Sequence, residues 1–181
     1  SRMGRDKALL PIEGVPFFEK VLAVLKTHLE IVILVGDRLE RFAKYGLPVC
    51  PDIYPGSALG GLYTGLYHAE TPYIFVSPCD LPFASAEALR YILSLRRGYD
   101  VVVPMTSGYL EPLFAVYSRS CLLPTKELLE AGNFRIYDFY PQVRVRRVPD
   151  SELAPIGVSG RAFLNINTLK EYEILMKVDD K

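Results

Sequence analysis

A three-layer α/β/α sandwich around a mainly parallel, Rossmann-like sheet is the fold this sequence predicts, and three observations predict it. Short apolar runs bounded by Gly, Pro or Asp read as strands. Stripes of apolar residues at helical spacing lie between them, and the two kinds alternate along the chain. No internal repeat, low-complexity segment or linker breaks the alternation, so residues 1–181 read as a single domain large enough for a real core.

Each element follows in order. Residues 1–7 are polar, basic and glycine-bearing, and no strand stands ahead of them, so the chain reads as beginning in the middle of an α/β unit. Ala8-Leu9-Leu10 and Gly14-Val15-Pro16 lead into a helix that Pro16 starts. Phe17, Val21, Leu25 and Leu29, with Phe18 and Leu22 beside them, form its buried stripe. A strand is expected over 31–35, ended by Gly36-Asp37, then a brief helical segment and a short strand over 47–50 that ends at Pro51-Asp52. A glycine-rich loop, 54–61, runs into a small-residue helix over 62–67 that packs close to the sheet. Residues 73–77 are almost wholly apolar and read as a strand buried on both faces. A helix from Ser85 carries Leu89, Ile92 and Leu93 on one face, and 99–104 is a further strand. In the second half, Glu111 precedes an apolar strand over 112–117, and 122–129 is helical. Residues 133–140 fit no single type, and 143–148 alternates as a half-exposed strand whose arginines face solvent. A loop over 157–161, a strand over 162–166 and a capping box from Thr168 to Glu171 opening a last helix complete the chain.

Composition narrows the function. Lys plus Arg and Asp plus Glu are both 21, and a net charge of zero argues against a general nucleic-acid or membrane-surface binder. It leaves room for a local basic pocket. Cys50, Cys79 and Cys121 are an odd number without a CxxC pair, which fits a reducing compartment and predicts a cytoplasmic protein. Cys79 reads as a small buried thiol rather than a reactive one. Apolar runs fall far short of a membrane span, and no signal peptide is visible. His28 and His68 stand in helical stretches without partners and receive no catalytic role.

The chemistry centres on the end of the 73–77 strand. Asp80 sits between Pro78 and Pro82, which stiffen the backbone at the carboxyl edge of the sheet, where open α/β folds bind ligands. A rigid carboxylate there suits Mg²⁺, which takes one or two carboxylates plus substrate phosphates; it equally suits the N-cap of the next helix. Arg2, Arg5 and Lys7 lie with Gly4 ahead of a helix, a pattern that can cradle phosphate or simply be a solvated tail. Together with Asp52, Asp80 and the 56–61 glycine loop, they make a phosphate-and-metal constellation on one sheet edge. Nucleotidyl transfer needs little more than a metal, cations on the leaving phosphates and an aligned attacking oxygen. Asn165 and Asn167, two apart on the expected strand, share a face. Glycines 60, 61 and 65 are either ligand contacts or close-packing residues.

These residues resemble the nucleotidyltransferases related to molybdenum cofactor guanylyltransferase. Ser1-Arg-Met-Gly-Arg-Asp-Lys7-Ala-Leu-Leu10 followed by Gly14-Val-Pro16 is similar to that family's signature, which a strand and a Leu-Ala-Gly-Gly turn precede in the family and not in this sequence. Pro55-Gly-Ser-Ala-Leu-Gly-Gly61 resembles its Gly-Pro-Leu-Ala-Gly loop, with Ser57 in place of Pro and Gly60 in place of Ala. Cys79-Asp-Leu-Pro82 resembles its Cys-Asp-x-Pro turn, and Glu111-Pro-Leu-Phe-Ala-Val-Tyr117 its Pro-Leu-x-Ala-Leu-Tyr strand. Phe163-Leu-Asn-Ile-Asn-Thr168 is close to its Phe-Asn-Ile-Asn-Thr motif, with Leu169 where a Pro is common. The matches span nearly the whole chain in the right order.

The resemblance implies a fold of the nucleotide-diphospho-sugar transferase type and a cytoplasmic, Mg²⁺-dependent enzyme. It would transfer GMP from GTP to molybdopterin, releasing pyrophosphate, with no nucleic-acid or membrane partner and alongside other proteins of molybdenum cofactor biosynthesis. Lys7 would then hold the GTP phosphates with Arg2 assisting, and Asp80 would ligate Mg²⁺. Asp52 would contact the nucleoside, with Gly56 and Gly60 in the nucleotide loop. Asn165 and Asn167 would face the metal or the pterin phosphate. Sister reactions, CMP transfer to molybdopterin or nucleotidyl transfer to a sugar or isoprenoid phosphate, use the same site. A non-catalytic nucleotide- or partner-binding domain is the third reading, and intact Asp80 and Lys7 argue against it.

Overall fold

The computed structural model describes residues 7–37, 39–166 and 171–172. Its centre is the strand β6 (Val101–Thr106), whose residues are almost all buried. On one side it pairs in parallel with β9 (Val145–Pro149), from Val101↔Val145 to Met105↔Pro149. On the other it pairs antiparallel with β7 (Tyr109–Leu110) and β8 (Ala115–Ser118), and β8 in turn pairs antiparallel with β5 (Tyr73–Val76). Strands β5, β6 and β9 therefore run the same way, and their carboxyl ends define one edge of the sheet.

Alternation along the strands builds the two outer layers. Phe75, Val102 and Val116 point to one face, where they pack with α1 (Phe17–Lys26), α3 (Ala86–Ser94) and the short α5 (Asp150–Leu153). Ile74, Val76, Val101, Val103, Ala115 and Tyr117 point to the other, against α2 (Ala58–His68), α4 (Leu122–Glu130) and a 3₁₀ segment, Ile136–Gln142. This is the expected three-layer sandwich. Two smaller pairs accompany it: β1 (Pro11–Ile12) with β2 (Val15–Pro16), antiparallel, and β3 (Leu34–Val35) with β4 (Val49–Cys50), parallel.

β7 and β8 occupy one strand line beside β6 but do not share a register. Met105 faces Leu110 and Thr106 faces Tyr109, whereas Val101 faces Tyr117 and Val102 faces Val116, so the pairing slips by three residues between the two halves. The surplus is a bulge over 112–114, where Pro112 has no N–H to give a ladder. Glu111 N still donates to the Pro104 carbonyl at 2.9 Å, Phe114 N closes the turn onto the Glu111 carbonyl at 3.0 Å, and the buried Tyr117 hydroxyl donates to the Pro112 carbonyl at 2.6 Å. The hairpin from β6 to β7 turns at Ser107-Gly108, both with positive φ, the backbone of a tight two-residue hairpin.

Several expectations change. β5 has helices on both faces, yet it is only half-buried along its length, and its strand partner among the described residues is the antiparallel β8 rather than a parallel strand. The expected strand over 162–166 is instead a 3₁₀ turn, Gly160–Phe163, followed by irregular chain. The strand expected over 112–117 starts only after the bulge. The strand over 31–35 shrinks to its last two residues, Leu34 and Val35, which pair with β4, and Ile31 is 70% exposed. The capping box at 168–171 lies outside the described residues apart from Glu171.

Candidate active site

The chain leaving β5 passes Ser77-Pro78-Cys79 and reaches Asp80, after which Leu81 and Pro82 are buried and anchor the turn. The Ala84 N–H closes back on the Leu81 carbonyl at 3.1 Å. The helix that follows, α3, is capped by Ser85, whose hydroxyl accepts from Ala88 N at 3.2 Å and also meets Glu87 at 2.8 Å. Asp80 therefore does not cap the helix. Its carboxylate is left half-buried at the carboxyl edge, where the other reading of the sequence put it.

Asn165 meets it there. With its amide nitrogen turned toward Asp80, Asn165 donates to Oδ1 at 2.9 Å and to Oδ2 and the backbone carbonyl at 3.2 Å each. With the amide turned over, its oxygen takes the same place and the cluster is made wholly of oxygens, the hard donors that a divalent cation takes. No three His, Cys, Asp or Glu side chains cluster as a metal site among the described residues, so a cation at Asp80 would complete its shell from phosphate and water. Asn165 is brought to Asp80 by an aromatic ladder rather than by a strand. Phe163 stacks edge-on to the buried Phe114 at 5.4 Å, and Phe114 edge-on to Phe75 of β5 at 4.8 Å. Asn167 and Arg2 lie outside the described residues, and Lys7 is placed by its backbone, which opens a 3₁₀ turn, Lys7–Leu9.

Asp52 has a different position. It follows β4 and accepts from the Thr64 hydroxyl of α2 at 2.9 Å, while the same hydroxyl takes the Ile53 N–H at 3.0 Å. The Tyr54 N–H also bonds this carboxylate. Burial pushes the Asp52 carboxyl above its usual range, the Thr64 hydrogen bond opposes that, and the charge of Asp37 behind β3 adds to it. Asp52 thus ties the 52–54 loop to α2. The sequence offered Asp52 as a nucleoside contact or a loop cap, and the structure shows its bonds within the loop and to α2.

Gly60 is resolved in the same way. A Cβ there would stand 1.8 Å from the Tyr54 carbonyl oxygen, so glycine is required for the loop to cross the helix. Its N–H is taken by the Ser57 hydroxyl, the N-cap of α2, at 3.0 Å. Gly60 is a close-packing residue; Gly56, at φ +96°, supplies the left-handed turn that precedes the cap. Gly65 lets α2 approach β5, its missing Cβ facing Ile74 at 3.4 Å.

One carboxylate was not singled out from the sequence. Glu111 is half-buried at the bulge, its Oε1 accepting from the Thr106 hydroxyl at 2.9 Å. Burial raises its pKa against the Thr106 hydrogen bond, and no cation contributes. Only its place ahead of a proline-led apolar run hinted at it.

Comparison with known proteins bears on the family and the fold. The family model for the MobA-like NTP transferase domain matches residues 1–146. A protein of Pelotomaculum thermopropionicum named "Probable molybdenum cofactor guanylyltransferase" is 39% identical over 168 residues, covering 92% of this chain and 82% of its own. The molybdenum cofactor guanylyltransferase of Desulfosudis oleivorans is 30% identical over 172 residues, covering 94% of this chain and 85% of its own. In fold, the crystal structure of molybdopterin-guanine dinucleotide biosynthesis protein A from Archaeoglobus fulgidus superposes with a TM-score of 0.81 at 21% identity, over 98% of this chain and 92% of that one.

Proposed function

The chain belongs to the MobA-like NTP transferase family, and from that premise we propose that it transfers GMP from GTP to molybdopterin. The observation that carries the reading is the Asp80–Asn165 pair at the carboxyl edge of the sheet, in a chain whose relatives bear the name of that activity. An oxygen of the molybdopterin phosphate attacks the α-phosphorus of GTP. The bond from that phosphorus to the bridging oxygen breaks, and pyrophosphate leaves with the electron pair. The products are molybdopterin guanine dinucleotide and pyrophosphate, with no redox change.

The chain's own residues bind and align. Asp80 would hold Mg²⁺, with Asn165 beside it, and their hard oxygens fit that ion. When bound, Mg²⁺ neutralises charge that builds on the phosphates. Lys7, Arg2 and the Gly56 turn would hold the triphosphate. Asp52 fixes the loop that borders the nucleoside, and a direct contact to the nucleoside belongs to this proposal. Asn167 would join Asn165 on the metal or pterin-phosphate side. Among the described residues no helix is long and apolar enough to cross a membrane. A cytoplasmic setting, where the three free cysteines stay reduced, goes with the reading.

Calorimetric titration with GTP, CTP and ATP in the presence of Mg²⁺, paired with a dinucleotide assay on molybdopterin, tests it. GTP should bind in preference, and Asp80→Ala should lose product by at least about a hundredfold while remaining folded. Preference for CTP would move the chain to the cytidylyl branch with the same chemistry.

A further inference from the structure

We propose that Glu111 is a substrate-binding residue, its carboxylate receiving the N–H edge of the acceptor's pterin. This rests on the guanylyltransferase reading for the identity of the acceptor. Three observations support the residue's role.

The first is placement. β5 and the β7–β8 line are neighbours, and both reach the same sheet edge, one delivering Asp80 and the other presenting Glu111. Thr106 shares the parity of Val102, so it and Glu111 lie on the face where Phe114 and Phe163 carry Asn165 to Asp80. The 52–57 loop belongs to α2, on the opposite face. Glu111 therefore stands across the edge from the loop assigned to the nucleotide.

The second is construction. Glu111 sits where the ladder slips by three residues, and such bulges re-aim side chains beside active sites. The backbone is pinned on both sides of it, by Glu111 N to Pro104 and by Phe114 N to the Glu111 carbonyl. The side chain is fixed as well, by the Thr106 hydroxyl at 2.9 Å.

The third is chemical. A half-buried carboxylate that one hydroxyl holds, and that no cation among the described residues neutralises, has accepting capacity to spare. The pyrimidinone edge of a pterin offers a ring N–H and a 2-amino group side by side, two donors that one carboxylate can accept together. Guanine carries the same edge, which makes the side of the site decisive.

The test compares wild type with Glu111→Gln and Glu111→Ala. Binding of a fluorescent pterin monophosphate is measured by titration, and the KM values for GTP and molybdopterin by dinucleotide formation. Both variants should weaken pterin binding and raise the molybdopterin KM by about tenfold or more, with the GTP KM and kcat within about twofold of wild type. Gln keeps a hydrogen bond to Thr106 but removes the charge. If Gln restored wild-type binding where Ala did not, Glu111 would be a brace of the bulge and the proposal would fail. It would also fail if the loss fell on the GTP KM, if neither variant changed any constant, or if wild type did not bind the pterin. A wild-type protein that bound pterin through Glu111 yet made no dinucleotide would uphold this inference and sink the guanylyltransferase reading.

Discussion

At the scale of single residues, a side chain's chemistry and its job separate most clearly at Asp80, Asp52 and Gly60. Asp80 was legible because two prolines and a strand end mark a rigid carboxylate, and only the cap needed the structure: Ser85 takes that role five residues on. Asp52 looked equivalent in sequence, yet its partner Thr64 is a helix away, and no local pattern announces a bond between residues 12 apart. Gly60 read as either ligand contact or packing, and the Tyr54 carbonyl shows the packing. Gly60→Ala should therefore destabilise the fold, by about 2 kcal/mol or more, since backbone rather than a flexible side chain must move. Thermal unfolding of the variant checks this. A melting temperature equal to wild type would mean that the loop rides freely over α2.

At the scale of elements, the helices were readable and the irregular connections were not. α1 and α3 follow stripes of period 3.6 with recognisable starts at Pro16 and Ser85, so sequence and structure agree there. Residues 162–166 read as a strand because Ala162, Phe163, Leu164 and Ile166 make a short, mostly apolar run. Ala162 and Phe163 are buried with Phe114, Ile166 is buried apart from them beside Leu10, Ile12 and Phe17, and Leu164 is exposed, with no strand partner among the described residues to make a sheet. The bulge was invisible for a related reason: register is a property of two strands, and one strand's pattern does not contain it. Phe114 joins both features. Phe114→Ala should cost about 3–5 kcal/mol from the cavity left between Phe75 and Phe163. In denaturant melts it should lower the midpoint, and in the product assay it should reduce activity further by loosening Asn165 from Asp80. Lost stability with fully retained turnover would show that the ladder does not set the site.

At the scale of the whole molecule, the carboxylates pull stability in opposite directions with pH. Burial raises the pKa of Asp52 and of Glu111, so in the folded state each binds a proton more readily than in the unfolded chain. Each costs stability at neutral pH, and that cost is relieved as pH falls through its raised value. Glu152 is the reverse. The Arg146 guanidinium, at 2.6 and 2.8 Å, holds its pKa below the usual range and ties β9 to α5. That contribution is present above the unfolded value and is lost as pH falls through the folded one. The melting temperature should accordingly pass through a maximum on the acid side of neutrality before falling. A steady decline from pH 7 downward would mean that the depressed carboxylates outweigh the raised pair.

The three-residue slip between β7 and β8 has an evolutionary consequence. Each half of that line is locked by its own pairs, Met105–Leu110 and Thr106–Tyr109 on one side and the β5–β8 rungs on the other. Chain length between them can change without unzipping either half. A gene that gained or lost a codon at 112–114 would shift the reach of the neighbouring carboxylate and leave the Asp80 turn untouched. With Glu111 in the role proposed for it, selection for a different acceptor can act on one short hinge of sequence and leave the Asp80 turn as it is.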